Sequence, residues 1–194
     1  MKKILFLFLT AFALITTQAQ VRFGVKAGAN FATLTGSDVS GAKMKVDFHF
    51  GGFAHIPLTS MFSFHPELLY SGQGAKFDGG KDNLSYLNIP VLFQYNNPSG
   101  FYVETGPQVG FILSAKEKVD GGSSVDIKDQ VKSTDFAWAL GLGFVTQANV
   151  GFGVRYNAGL SNIADGGGKI QNGVFQLSVH YWFGSSEGSG KKSK

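Results

Sequence analysis

Large apolar residues alternate with small or polar ones along almost the whole chain. In "FAWALGLGFV" the large Phe136, Trp138, Leu140, Leu142 and Phe144 alternate with Ala137, Ala139, Gly141 and Gly143. "VRFGVKAGANF" sets Val21, Phe23, Val25, Ala27, Ala29 and Phe31 against Arg22, Gly24, Lys26, Gly28 and Asn30. "KVDFHFGGFAHIPL" and "MFSFHPELLYSGQ" repeat the pattern, as do "YLNIPVLFQY", "FYVETGPQVGFIL", "VGFGVRYNAGL" and "VFQLSVHYWF". A period of two over about ten residues is the signature of a β-strand. The pattern predicts eight strands.

The connections alternate too. Segments 34–44, 75–83, 115–132 and 162–169 are long and rich in Gly, Ser, Asp and Lys, while 59–60, 97–99 and 147–149 are tight turns. Long loops therefore leave one end and short turns the other. This predicts an all-β fold, an eight-stranded antiparallel up-and-down barrel, closed so that no sheet edge is left open.

Ring volume decides which face points inward. The chain holds 19 Phe, 6 Tyr and 2 Trp, mostly on the apolar faces. An eight-stranded barrel is only just wide enough for ordinary side chains. The polar faces instead carry glycines, among them Gly24, Gly28, Gly51, Gly106, Gly141 and Gly153. So the apolar face looks outward, toward lipid, and the barrel is transmembrane. A closed barrel pairs every backbone polar group, as lipid demands. Tyr95, Phe101, Tyr181 and Phe183 near the short-turn end, and Tyr70 and Trp138 nearer the long loops, are expected as lipid-interface aromatics. Pro66, Pro90 and Pro107 each remove a ladder donor, and local bulges are expected there.

The start, "MKKILFLFLTAFALITTQAQ", has Lys2 and Lys3, an apolar run from Ile4 to Ile15 and small residues before Gln20. It reads as a signal peptide over 1–19, cleaved after Ala19. The barrel is expected over 20–184 and a flexible Gly/Ser/Lys tail over 185–194, with export to the cell outer membrane. Without Lys2 and Lys3, 15 basic residues face 13 acidic ones, and Lys191, Lys192 and Lys194 lie in the tail. The neutral body gives no case for nucleic-acid binding. Cys is absent, which excludes a disulfide framework and a lipid-modified cysteine.

Several motifs resemble the PorT-type outer-membrane β-barrel family of Gram-negative bacteria. They are "VKAGANFATL", "HIPLTSMFSFHPELLYSGQGAKF", "YLNIPVLFQY", "GFYVETGPQVGFILSAK", "LGLGF" and "GFGVRYNAGLSNI". The resemblance runs from about Val21 to Phe183. It implies a small eight-stranded barrel, in a family whose members mostly lack an assigned activity. Outer-membrane barrels usually end on an aromatic residue of the last strand, whereas here Phe183 is followed by the tail.

Candidate chemistry is sparse. His49, His55, His65 and His180 all fall on inward positions, where a hydrogen-bonded lumen explains them. No metal-ligand spacing, phosphate loop or EF-hand loop is present, and Asp120, Asp126 and Asp129 read as part of a solvated loop. No catalytic, cofactor-binding or metal site is expected. Lys26, Glu67, Glu104 and Arg155 come out at about one depth, facing inward, and predict a neutral lumen charge network. Arg155 is expected to fork onto one glutamate and Lys26 to pair with the other. The functional expectation is a non-enzymatic, monomeric barrel with a plugged lumen. It would act as a structural or interaction protein, meeting partners through loops 34–44, 75–83, 115–132 and 162–169. A narrow pore is the alternative, and a lipid-modifying hydrolase the third.

Overall fold

A computed structural model describes residues 21–37, 39, 41–119, 121–164 and 168–183. The expected signal peptide and tail lie outside them. Eight long strands form the barrel: β1 (Arg22–Thr35), β2 (Lys45–Pro57), β3 (Phe62–Gln73), β5 (Gly80–Asn96), β6 (Phe101–Val119), β8 (Thr134–Val145), β9 (Val150–Gly159) and β10 (Gln171–Trp182). Two short strands, β4 (Lys76–Phe77) and β7 (Ser124–Asp126), and a 3-10 turn at Lys128–Gln130 belong to the connections. All pairings are antiparallel. Neighbours in sequence pair, and β1 pairs with β10 from Gly24↔Trp182 to Thr35↔Gln171, which closes the cylinder. The Phe183 N–H extends the seam by donating to the Phe23 carbonyl at 2.7 Å.

Outward-facing Phe23, Phe48, Phe50, Phe93, Trp138, Leu140 and Phe152 are exposed, and inward Asn30, His49, Glu67, Tyr86 and Arg155 are buried. The molecule is therefore apolar outside and polar within, as a barrel in lipid must be. Tyr70, Tyr95, Phe101, Trp138, Tyr181 and Phe183 all lie on the outer wall. Two of them bond their polar tips to the protein: Tyr70 Oη donates to Ser85 Oγ at 3.0 Å and Trp138 Nε1 to Thr105 Oγ1 at 2.9 Å.

The prolines do not make bulges. The β2–β3 and β3–β5 registers are the same on either side of Pro66 and Pro90, and Pro107 stays in register with Trp138. Pairing is interrupted locally instead: between Phe53↔Glu67 and Ile56↔Phe64, and between Pro90↔Gln108 and Phe93↔Thr105. The long strands on both sides hold the alignment, so a missing donor costs a rung and not a residue. The one register shift falls at Ser85/Tyr86, away from any proline.

The short turns are compact. Asn97 N–H donates to the Phe101 carbonyl at 2.8 Å, and Thr146 N–H to the Val150 carbonyl at 2.8 Å. Gly100 at φ 96° and Asn149 at φ 62° supply the left-handed positions these turns need.

The long connections keep most of their polar residues exposed, 121–126 and 128–130 among them, but they also carry structure of their own. β5 and β6 continue above the barrel wall, and β4 and β7 pair with them. Leu34, Ala75, Leu84, Tyr86, Ile112, Ala115 and Ile163 form a buried apolar cluster, with Val39, Ala42, Phe77, Ile127, Val131 and Ile170 packed against it. Each loop contributes only one to a few apolar residues, too sparse to show a period. Convergence over the mouth turns them into a cap. The longest exposed stretch of chain at this end lies within 115–132, where 121–126 and 128–130 are all exposed. Protease added to whole cells is expected to cut there, before 97–99; cleavage at 97–99 in intact cells would reverse the orientation of the barrel.

Candidate functional site

The lumen is crossed by a belt of inward residues joined strand to strand. Register links Ser63↔Gln94, Gln94↔Glu104, Glu104↔Gly141, Gly141↔Arg155, Arg155↔Gln176, Gln176↔Asn30 and Asn30↔Asp47. Arg155 is at its centre. Its Nη1 and Nη2 donate to Glu67 Oε2 and Oε1 at 2.8 and 2.7 Å, and its Nε to Glu104 Oε1 at 2.8 Å. Gln94 Nε2 donates to the other Glu104 oxygen at 2.9 Å.

Lys26 departs from the expected pairing. Its Nζ lies 2.5 Å from Glu67 Oε1, so it shares Glu67 with Arg155, and Glu104 is left with Arg155 as its cation beside the neutral Gln94 amide. Glycine explains both contacts. Gly51 is the inward neighbour of Lys26, and with no side chain it lets the lysine cross β2 to reach β3. Gly141 separates Glu104 from Arg155, and their side chains meet over it. All four charged residues are buried at 3–6% exposure and their formal charges cancel. A buried charge is tolerated when it is paired and fully hydrogen-bonded.

Polar and aromatic layers lie on either side. Toward the loops, His49 Nδ1 is 2.7 Å from Asn30 Oδ1 and its Nε2 is 3.0 Å from Ser178 Oγ. Asn30 Nδ2 donates to Ser71 Oγ at 2.9 Å, and Gln176 Nε2 to Asn30 Oδ1 at 2.9 Å. Lys45 donates to Asp47 and to the Gln73 carbonyl, and Gln73 accepts from Asn172. Toward the short turns, aromatic rings fill the bore. Phe53 stacks on His65 at 4.6 Å, His55 lies 4.4 Å from Trp182, and His180 meets Phe53 edge-on at 5.8 Å. The Arg22 guanidinium sits 4.1 Å over Trp182 at the rim. Alternation in the sequence places Asn30, Gln94 and Gln176 inward, yet only the register shows that they flank the charges.

The histidines enter as packing rings and hydrogen-bond partners. Among the described residues no three His, Asp or Glu side chains are disposed to hold a metal ion. His65 Nε2 is 3.4 Å from Glu67, while the nearby Ser63 hydroxyl bonds Asn96 and Gln94 instead. Asp126 accepts from the Lys128 N–H at 2.9 Å in a local turn, and Asp120 lies outside the described residues. Ser178, His49 and Asn30 form a hydrogen-bonded serine–histidine–amide chain. Alternation directs the Ser178 hydroxyl into the filled lumen, and Asn30 is shared with Gln176. Acyl chains on the outer wall do not meet it.

On the sheet above the wall, Asp82 stands opposite Glu117 on the side facing the barrel axis. Burial, and then the Glu117 carboxylate, push the Asp82 carboxyl above its ordinary value.

The same architecture is found in solved outer-membrane proteins. The chain superposes on the attachment invasion locus protein Ail of Yersinia pestis with a TM-score of 0.52 at 15% identity, covering 84% of this chain and 98% of that one. For Ail bound to the heparin analogue sucrose octasulfate the TM-score is 0.54, again at 15% identity, with coverage of 84% and 99%. For Neisserial surface protein A it is 0.53 at 17% identity, with coverage of 83% and 97%. These likenesses are of fold. Comparison with curated proteins found no match. Residues 17–165 match the outer membrane protein β-barrel domain family, so this chain, with its lipid-facing wall and polar interior, belongs to that family and resides in the outer membrane.

Proposed function

We propose that the protein is a non-enzymatic interaction barrel, sealed along its axis, which presents its capped loop end to partners outside the cell. The observation that carries this reading is the Arg155–Glu67–Glu104–Lys26 knot, which closes the bore between an aromatic layer on one side and an apolar cap on the other. Eight strands leave little room for a channel even before such a knot is added. The outer-wall aromatics Tyr70, Tyr95, Phe101, Trp138, Tyr181 and Phe183 would anchor the barrel at the two lipid interfaces. Ail, of the same fold, has been seen with a heparin analogue, and an anionic surface ligand for the loop end fits that precedent. Within the outer-membrane barrels, the six quoted motifs support a PorT-type affiliation.

Conductance is the test. Purified protein in a planar bilayer should show no stable current. Reproducible open channels of porin-like size would move the reading to the narrow pore. The hydrolase reading makes a separate demand: Ser178→Ala should alter the acyl composition of outer-membrane lipids. We expect no change on lipid mass spectrometry, because the hydroxyl faces the lumen.

A further inference from the structure

The sheet of β4, β5 and β6 above the barrel sorts its charges by face. Pairing sets Lys76 opposite Lys81 and Lys81 opposite Lys118, and an isolated bridge sets Lys43 opposite Lys76. Directly opposed residues share a face, so these four lysines form one row across neighbouring strands. Like charges so placed repel one another. Lys43 is bonded to Asp78, but among the described residues Lys76, Lys81 and Lys118 form no salt bridge. Among the described residues only the Lys43–Asp78 pair offsets this repulsion within the row.

The row points sideways. On β5 the even-numbered residues from Leu84 to Gln94 are buried inward, which turns Lys81 outward. On β6 the register shift puts Ala115 inward, so Lys118 also faces out, as does Lys116 opposite Asp126. Phe77, next to Lys76, packs into the cap, and Asp82 and Glu117 turn to the axis. Along β5 and β6 acids and lysines thus alternate and separate onto two faces, and Asp126 of β7 joins the lysine face opposite Lys116. Beneath the row the same wall carries exposed Leu113 and Phe111 on β6, and Phe48, Val46 and Met44 toward and along β2. Lys118 stands five residues above Leu113, about 17 Å along the strand.

We infer that this row binds the phosphates of outer-leaflet glycolipid, with a headgroup bearing two phosphates lying against the flank of the cap. At about 4.8 Å per strand, four lysines span about 14 Å, wider than one phosphate. The flank continues the lipid-facing wall, so the headgroup of a lipid packed on that wall reaches it without leaving the membrane. A soluble polyanion arriving from the medium would meet the top of the cap instead. The inference is independent of any loop partner.

The test uses full-length protein refolded in detergent and titrated with bisphosphorylated lipid A, read by native mass spectrometry. The triple variant K76Q/K81Q/K118Q is compared with wild type and with K132Q, whose lysine lies outside the row. Lysines near an anionic surface contribute about fivefold each, so the triple variant should bind about 100-fold more weakly. K132Q should match wild type, and lipid A stripped of phosphate should bind all three proteins equally weakly. Asp78→Asn, which frees Lys43, should bind a few-fold more tightly, a result that does not depend on the triple variant folding. Unchanged lipid A binding by the triple variant would overturn the assignment. So would loss of heparin-fragment binding in that variant with lipid A binding intact, since the row would then read a soluble polyanion.

Discussion

Arg155→Ala should lower the stability of the folded barrel by about 3–5 kcal/mol, the loss expected when one partner of a buried ion cluster is removed. The change deletes three donor contacts to two glutamates and leaves Glu104 with only the neutral Gln94 amide. Glu67 keeps Lys26, so Glu104 is the group left exposed to an uncompensated cost. That asymmetry gives a second expectation. Glu104→Gln alone strands one face of Arg155, but in the Arg155→Ala background it removes the stranded charge. The second substitution should therefore cost less there than in wild type, or restore part of the loss. Urea unfolding in lipid vesicles reads both, using the fluorescence of Trp182 inside the bore and Trp138 on the wall. Additive effects would mean that the two side chains do not act as one unit.

Much of this architecture is legible in the chain because a barrel wall reads out its two environments residue by residue. Phe136 to Phe144 and their small neighbours declare outer and inner faces without any knowledge of pairing. The four luminal charges follow from the same parity. What parity cannot supply is the lateral register, and register decides who touches whom. Lys26 reaches Glu67 because Gly51 is its neighbour across β2, a fact set by the stagger of two strands and invisible in either alone. The prolines misled for a related reason: local donor loss suggests a bulge, but alignment is set by the whole length of the strands. The cap was hidden differently. Phe77, Ile127, Val131 and Ile163 are single apolar residues in polar loops, and they form a core only because four loops leave the same rim. Of the lysine row only Lys118 shows a pattern in the chain, in "KEKV", where Lys116 and Lys118 continue a period of two past the apparent end of the strand; Lys43, Lys76 and Lys81 join it through pairing alone.

Gly141→Val should be nearly as damaging as loss of Arg155, at a position that carries no functional group. A Cβ at residue 141 would stand 2.8 Å from Glu104 Oε1 and 2.9 Å from the Val154 carbonyl oxygen. Both distances are closer than carbon and oxygen tolerate, and the second involves backbone that cannot swing aside. Glu104 would have to leave Arg155, and β9 would have to move away from β8. Overpacking commonly costs 1–3 kcal/mol, and here an ion pair is disturbed as well, so the expected loss is about 3 kcal/mol or more. Gly52→Ala is the matched control, because a Cβ there meets nothing closer than the Gly24 carbonyl at 3.6 Å. It should change stability by less than about 1 kcal/mol. Glu104→Ala introduced with Gly141→Val removes the side-chain collision but not the backbone one. If the double variant unfolds at a lower urea concentration than Glu104→Ala alone, the strand spacing is the tighter constraint. If the two coincide, Gly141 is small only so that Glu104 and Arg155 can meet over it. Wild-type stability in Gly141→Val would show that neither contact shapes the wall.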